Sequence, residues 1–329
     1  MTRYDPLAWS PSADAGALAA VAGELRAGGV HVAEEQPLGP WTTLGVGGPA
    51  RFFAEIADDP QVAVLMRALS GIAPGSVPLL ILGRGSNLLI ADSGWPGLAV
   101  RLGAGFKAFT RDGLAVTAGG GVSMPALAAW TATQGLTGLE FAAGIPATLG
   151  GSVRMNAGAH GGDTARHLLS VRLAMPGAAP AAWVHSHELN FGYRHSELPA
   201  RAIVIGAKWL LAADHPDAIR ARLDGLRAWR RATQPLRQRN CGSVFTNPGN
   251  DSAGRLVDAA GLKAMRRGGA QVSERHANFI VVNPPCRAAD VYGLITHMRR
   301  VVHESGGPLL QPEVRVVGDF SAEVGDAPV

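Results

Sequence analysis

A chain of 329 residues, 47% apolar and 17% charged, is long enough for two or three domains, each with its own core. No apolar run reaches the roughly 18 to 20 residues needed to cross a bilayer, which argues against a membrane-spanning protein. The net charge of +4 comes almost wholly from arginine, since Lys107, Lys208 and Lys263 are the only lysines. It forms no basic stripe with interleaved aromatics, so nucleic-acid binding is not indicated and a preference for anionic ligands is all it supports.

Residues 13–22 are Ala-rich but carry Asp14 and run into Glu24 and Arg26, which reads as a short amphipathic helix of a cytoplasmic protein and not as a signal sequence. A strand is expected over 50–56. Asp59-Pro60 then looks like an N-cap with proline at the first helical position, opening a helix over 61–70. An apolar strand, 77–82, enters the loop Gly83-Arg84-Gly85-Ser86-Asn87 and leaves into strand-like sequence at Leu88. Strands follow at 114–118, 168–175 and 202–211, with a helix at 124–134 closed by Gly135. The polar stretch 212–216 makes a boundary. Beyond it, helices at 217–232, 254–260 and 288–304 alternate with strands at 279–282 and 313–317, giving a mixed α+β chain. Cys241 and Cys286 are too few for a disulfide scaffold and lack zinc-site spacing, so no metal is expected.

The loop 83–87 is a candidate phosphate cradle, because residues without side chains let backbone N–H groups approach an anion. Such loops are more often simple tight turns. A Rossmann site or P-loop would need a helix directly after it, and the strand-like Leu88 onward excludes both. A second glycine-rich stretch, GLEFAAGIPATLGGSVRMNAGAHGG over 138–162, would let backbone pass close to a flat ligand. Two cradles together suggest a long ligand with a central pyrophosphate.

Three further stretches carry chemistry. In FGYRHS, Arg194 stands beside aromatic residues and could hold a carboxylate or phosphate bidentately, although an isolated arginine is usually a surface charge. In NCGSVFTNP, Ser243 lies between a glycine and apolar residues, where its hydroxyl could be positioned for proton transfer, and the absence of a Gly-x-Ser-x-Gly elbow disfavours an acyl-enzyme nucleophile. In QPEVR, Glu313 offers a carboxylate at the start of an apolar strand, where a structural ion pair is the commoner role.

Taken in order, WTTLGVGGPARF, ILGRGSNLLI, GLEFAAGIPATLGGSVRMNAGAHG, FGYRHSEL, GSVFTNP, AGRLVDAAGLKAMRRGGAQVSERHANFIV and QPEVRVVG resemble the blocks of the UDP-N-acetylenolpyruvoylglucosamine reductase family, from about Thr42 to Val317. The resemblance implies a two-part FAD-binding domain of the vanillyl-alcohol-oxidase type, over 36–103 and 104–214, and a substrate domain over 215–320, flanked by an N-terminal helical extension (1–35) and a tail (321–329). It implies non-covalent FAD held by Gly83, Gly85, Ser86, Asn87 and Leu88, then by Gly144, Ile145, Pro146, Gly150, Gly151, Ser152, Val153, Asn156 and Ala157, with Arg315. Arg194, Ser243 and Glu313 match the family's catalytic positions. Tyr193, Gly242, Asn247, Arg230 and Arg231 would bind the substrate, UDP-N-acetylglucosamine enolpyruvate, and NADPH would be the reductant.

The chain departs from the family pattern at Thr246, where lysine is usual, at His160, where tyrosine is common, and at Ala147, where glycine is common. Arg230, Arg231 or Arg239 would then replace the missing cation. The short spacing from Arg194 to Ser243 resembles the compact subgroup without the tyrosine loop. Another flavoprotein oxidoreductase of the same fold, or a non-catalytic nucleotide-sugar-binding protein, shares many of these features, and the intact Arg194, Ser243 and Glu313 set argues against the second.

Overall fold

The computed structural model describes residues 13–73 and 75–321. Its first body holds α1 (Ala15–Ala27), β1 (Val32–Pro37), β2 (Pro49–Ile56), α2 (Asp59–Ala68), β3 (Leu79–Ile81), β4 (Leu88–Ile90) and β5 (Trp95–Leu102). The sheet runs β1-β2-β5-β3, with β1 antiparallel to β2 and the other pairs parallel. Asp14 caps α1 by accepting the amides of Gly16 and Ala17, and Leu18, Val21 and Leu25 bury one helical face beside α2. The described part of the expected N-terminal extension is therefore built into this body's core. The cap of α2 is Asp58, which accepts the Gln61 amide at 3.0 Å, and not Asp59. Proline is tolerated at either of the first helical positions because the amide it lacks has no helical partner there, so the start slides by one residue.

The second body comprises β6 (Phe109–Asp112), β7 (Ala115–Gly119), α3 (Met124–Thr133), β8 (Leu136–Thr137), α4 (Leu149–Arg154), β9 (Gly158–Ala159), β10 (Gly162–Asp163), β11 (Leu168–Met175), β12 (Ala178–His185), β13 (Ile203–Leu210), β14 (Ala212–Ala213) and α5 (Pro216–Thr233). Its main sheet is antiparallel, in the order β12-β11-β13-β7-β6. Helix α4 lies inside the second glycine-rich stretch, with the Thr148 hydroxyl at its N-terminus. Ile219 and Leu223 of α5 are buried with Val116, Leu127 and Trp209, so by packing α5 stands with this body and not with the C-terminal one.

The third body has β15 (Arg239–Asn240), α6 (Ala253–Ala259), β16 (Arg266–Arg267), β17 (Ala270–Val272), β18 (Ile280–Val282) and α7 (Ala288–Glu304). The sheet β15-β18-β17-β16 is antiparallel, and Ala270, Val272, Ile280 and Val282 point from it into one core with Val291, Leu294 and Met298 of α7. The last strand, β19 (Arg315–Val317), leaves this sheet and pairs in parallel with β4, Arg315 opposite Leu88. Glu313 thus precedes the strand instead of opening it. Leu44, Val46 and Leu89 of the first body share the third body's core, which fixes the two against each other. Among the described residues no helix is long and apolar enough to cross a membrane.

Candidate active site

The loop 83–87 joins β3 to β4, strands of different sheets, in keeping with its strand-like flanks. Gly85 has φ +60° and a Cβ there would come within 2.4 Å of the Trp41 carbonyl oxygen, so both conformation and space require glycine. A Cβ on Gly83 would come within 2.5 Å of the Thr148 hydroxyl, which puts the first cradle directly against the second. Between them lies a cavity of about 410 Å³ lined by Gly83, Arg84, Gly150, Gly151 and Arg154, and also by Arg101 and Lys107.

Two features of this cleft fit an anionic cofactor. The Ser152 hydroxyl is buried and has no protein partner, although buried polar groups are nearly always satisfied. Arg154 lies near Arg315, neither has an ion-pair partner among the described residues, and burial together with that like charge pushes the Arg154 guanidinium down to about 10. A pyrophosphate would relieve both conditions. Arg154 also ties the cleft wall together, donating to the Leu198, Pro199 and Ala202 carbonyls. Sequence reasoning misses this residue, although it sits within the glycine-rich run GGSVRMNAG. Val153 is wholly buried in the second core, so only its backbone can meet a ligand.

Arg194 lies at the tip of a tight turn closed by reciprocal backbone hydrogen bonds between Gly192 and His195, and takes φ +54°. Such a value is uncommon outside glycine and tends to persist where the surroundings enforce it. Here the enforcing group is Asn156, itself buried, whose amide donates to the Gly192 carbonyl at 2.9 Å and whose oxygen accepts the Ala165 amide. The Arg194 Nε is 2.8 Å from the Glu313 Oε1, an ion pair in which the N–H is not aimed at the oxygen. No protein group accepts the remaining guanidinium N–H bonds among the described residues, so they are free for a ligand carboxylate. The guanidinium also stands 5.3 Å from the centre of the exposed Tyr193 ring. Burial pushes the Glu313 carboxyl above its ordinary value, and Arg194 pulls it back.

Ser243 joins this pair through the backbone. The Val244 carbonyl accepts the Glu313 amide at 2.8 Å and the Val314 amide at 3.3 Å, and Phe245 bridges to Pro312. The Ser243 hydroxyl is partly exposed and has no hydrogen-bond partner among the described residues. The first cradle is tied in as well, since the Asn87 amide donates to the Glu313 carbonyl and the Arg315 amide to the Asn87 carbonyl, both at 3.0 Å. Arg194, Ser243 and Glu313, distant in sequence, therefore converge beside the glycine loop.

The expected substrate contacts divide. A Cβ on Gly144 would come within 2.2 Å of the Arg230 guanidinium, which places that arginine against the second cradle. Arg231 lines a separate cavity of about 920 Å³ with Arg237, Arg266, Arg275 and Glu274. Asn247 is exposed, its oxygen already accepting the Ala253 amide at the start of α6, and Gly242 takes φ +78°. Thr246 bonds the Gln311 carbonyl and offers no charge, and Arg239 lies over Gly45. Both cysteine thiols are pushed up to about 12, chiefly by burial, which disfavours the reactive thiolate.

The cleft and the triad beside it define an FAD-binding oxidoreductase, in agreement with the FAD binding domain family model, which matches residues 54–178. The model of the UDP-N-acetylenolpyruvoylglucosamine reductase C-terminal domain matches 234–317. The chain is 43% identical over 293 residues to the UDP-N-acetylenolpyruvoylglucosamine reductase of Heliobacterium modesticaldum, covering 88% of this chain and 92% of that one. The corresponding enzyme of Granulibacter bethesdensis is 40% identical over 288 residues, covering 88% and 91%. The crystal structure of UDP-N-acetylenolpyruvylglucosamine reductase from Thermus caldophilus superposes with a TM-score of 0.74 at 37% identity, covering 88% of this chain and 98% of that one. The chain belongs to the UDP-N-acetylenolpyruvoylglucosamine reductase family.

Proposed function

We propose that this protein reduces the enolpyruvyl group of UDP-N-acetylglucosamine enolpyruvate to UDP-N-acetylmuramate at the expense of NADPH, in the cytoplasmic synthesis of peptidoglycan precursors. The observation that carries the reading is the convergence of Arg194, Glu313 and the Ser243 segment beside a glycine-walled cleft suited to FAD. Bound FAD would supply the hydride chemistry. Gly83 to Leu88, Gly150, Gly151, Ser152, Arg154 and Arg315 would hold it, and neither 83–88 nor 144–157 contains a histidine or cysteine to attach it covalently.

An enol ether conjugated to a carboxylate accepts hydride poorly unless the negative charge that develops on the carboxylate side is stabilised. Arg194 does this with its uncommitted N–H groups, held at the tip of its turn by Asn156 and kept in orientation by Glu313. Ser243 then donates a proton to the carbon next to the carboxylate. A serine hydroxyl is a weak acid, so its effectiveness depends on placement against a strongly basic enediolate and not on its own pKa. For the diphosphate, the four arginines around the 920 Å³ cavity are suited by charge, because none has an ion-pair partner among the described residues. They replace the lysine absent at Thr246, with Arg230 nearer the second cradle.

Addition of UDP-N-acetylglucosamine enolpyruvate to the purified, FAD-loaded protein with NADPH should give stoichiometric NADPH oxidation and UDP-N-acetylmuramate as product. Rapid oxygen consumption without the substrate would indicate an oxidase of the same fold instead. A yellow protein with no turnover would indicate a binding protein.

A further inference from the structure

The Ser243 segment is held from two sides, and the second side belongs to a residue with no assigned role. On one side are the Glu313 and Val314 amides, both donating to the Val244 carbonyl. On the other is Asn278, buried to 3% exposure. Its side-chain oxygen accepts the Phe245 amide at 2.9 Å and its side-chain amide donates to the Phe245 carbonyl at 2.8 Å, while its own backbone carbonyl accepts the Val244 amide at 2.8 Å. A single asparagine thus pairs with two consecutive residues as a neighbouring strand would, although no strand lies there. The residues it grips follow Ser243 directly, and no described hydrogen bond of the Ser243 side chain fixes the hydroxyl itself.

We propose that Asn278 is a positioning residue for the proton-transfer step, setting the place of the Ser243 hydroxyl relative to Glu313 and Arg194. The inference rests on the reading of Ser243 as proton donor. Only a side chain with one donor and one acceptor at amide geometry can satisfy both Phe245 groups. Aspartate has the same shape but would set a carboxylate oxygen against the Phe245 carbonyl, leaving two acceptors facing each other in a buried site. The Val244 contact comes from the Asn278 backbone and survives substitution, so the segment should shift and not detach. Displacement of reacting groups by about 1 Å can cost about 10²-fold in rate.

The test uses the FAD-loaded full chain carrying Asn278→Asp, Asn278→Ala and Ser243→Ala, and the double variant Ser243→Ala with Asn278→Asp. The two half-reactions are followed by stopped-flow absorbance, each variant well below its own melting temperature. In Asn278→Asp the substrate half-reaction should slow roughly 10- to 100-fold while the NADPH half-reaction stays within about twofold, and the double variant should be no slower than Ser243→Ala alone. Asn278→Ala should show the same split with a larger loss of melting temperature. Equal loss in both half-reactions, an unchanged substrate half-reaction, or fully additive losses in the double variant would each overturn the proposal. If Ser243→Ala itself leaves the substrate half-reaction untouched, the reading of Ser243 fails, whatever Asn278 does. If Ser243→Ala is slow and Asn278→Asp is not, only the role of Asn278 falls.

Discussion

The side-chain amide of Asn87 donates to the backbone carbonyl of Glu313 at 3.0 Å, joining the first glycine loop to the carboxylate that pairs with Arg194. The glycine loop and the Arg194–Glu313 pair are one hydrogen-bonded unit, reinforced by the parallel pairing of β19 with β4. Asn87→Asp removes the donor and sets a carboxylate against that carbonyl. The expected result is a double defect, with FAD affinity reduced about tenfold, as for loss of one hydrogen bond, and a slower substrate half-reaction. Fluorescence titration of the stripped protein with FAD and stopped-flow rates measure the two parts. A defect in only one would show that loop and carboxylate are independent.

Ser152 should affect stability and cofactor binding with opposite signs. Its hydroxyl is buried without a partner, so Ser152→Ala should leave the FAD-free protein as stable as the wild type or slightly more stable. The same change should weaken FAD binding by up to about tenfold, because the ligand loses a hydrogen bond. Melting temperatures with and without FAD, together with the titration, separate the two effects. A less stable FAD-free variant would mean that the hydroxyl already has a partner.

Glu313 links pH to stability. Burial raises its carboxyl above the ordinary value, so between the unfolded and folded values the folded state binds more protons than the unfolded one. Its contribution is therefore fully present below the ordinary carboxylate range and is lost as pH rises through the raised value. Glu313→Gln carries no such titration. The melting temperature of the Gln variant minus that of the wild type should increase as pH rises from about 4 into the neutral range. A constant difference would show that the Arg194 charge offsets burial completely.

How much of the fold and site is legible in the sequence depends on how local the cause is. The strand-to-strand loop at 83–87 is legible because flanking apolar runs and glycines act within a few residues. Helix α4 is hidden, since Gly150 and Gly151 are poor helix formers and the helix owes its place to the Thr148 cap and to Leu149 and Val153 packing in the second core. The amphipathic pattern of α5 marks the helix but not the body it joins, which Ile219 and Leu223 decide by packing. Arg154 looks like any arginine until the fold sets it beside Arg315. The role of Asn278 arises from pairing with Phe245, 33 positions away, and no periodicity records that.

In the proposed mechanism the Ser243 hydroxyl supplies the proton that completes substrate reduction, and the residue after it, Val244, pairs through its carbonyl with the Glu313 amide. Stopped-flow measurement of both half-reactions in Ser243→Ala tests that role most directly. The NADPH half-reaction should run at the wild-type rate, because it needs no proton from this residue. The substrate half-reaction should fall by roughly 10² to 10⁴, and Ser243→Cys should retain more activity than Ser243→Ala. A Ser243→Ala variant whose substrate half-reaction keeps the wild-type rate would contradict the mechanism and remove Ser243 from it.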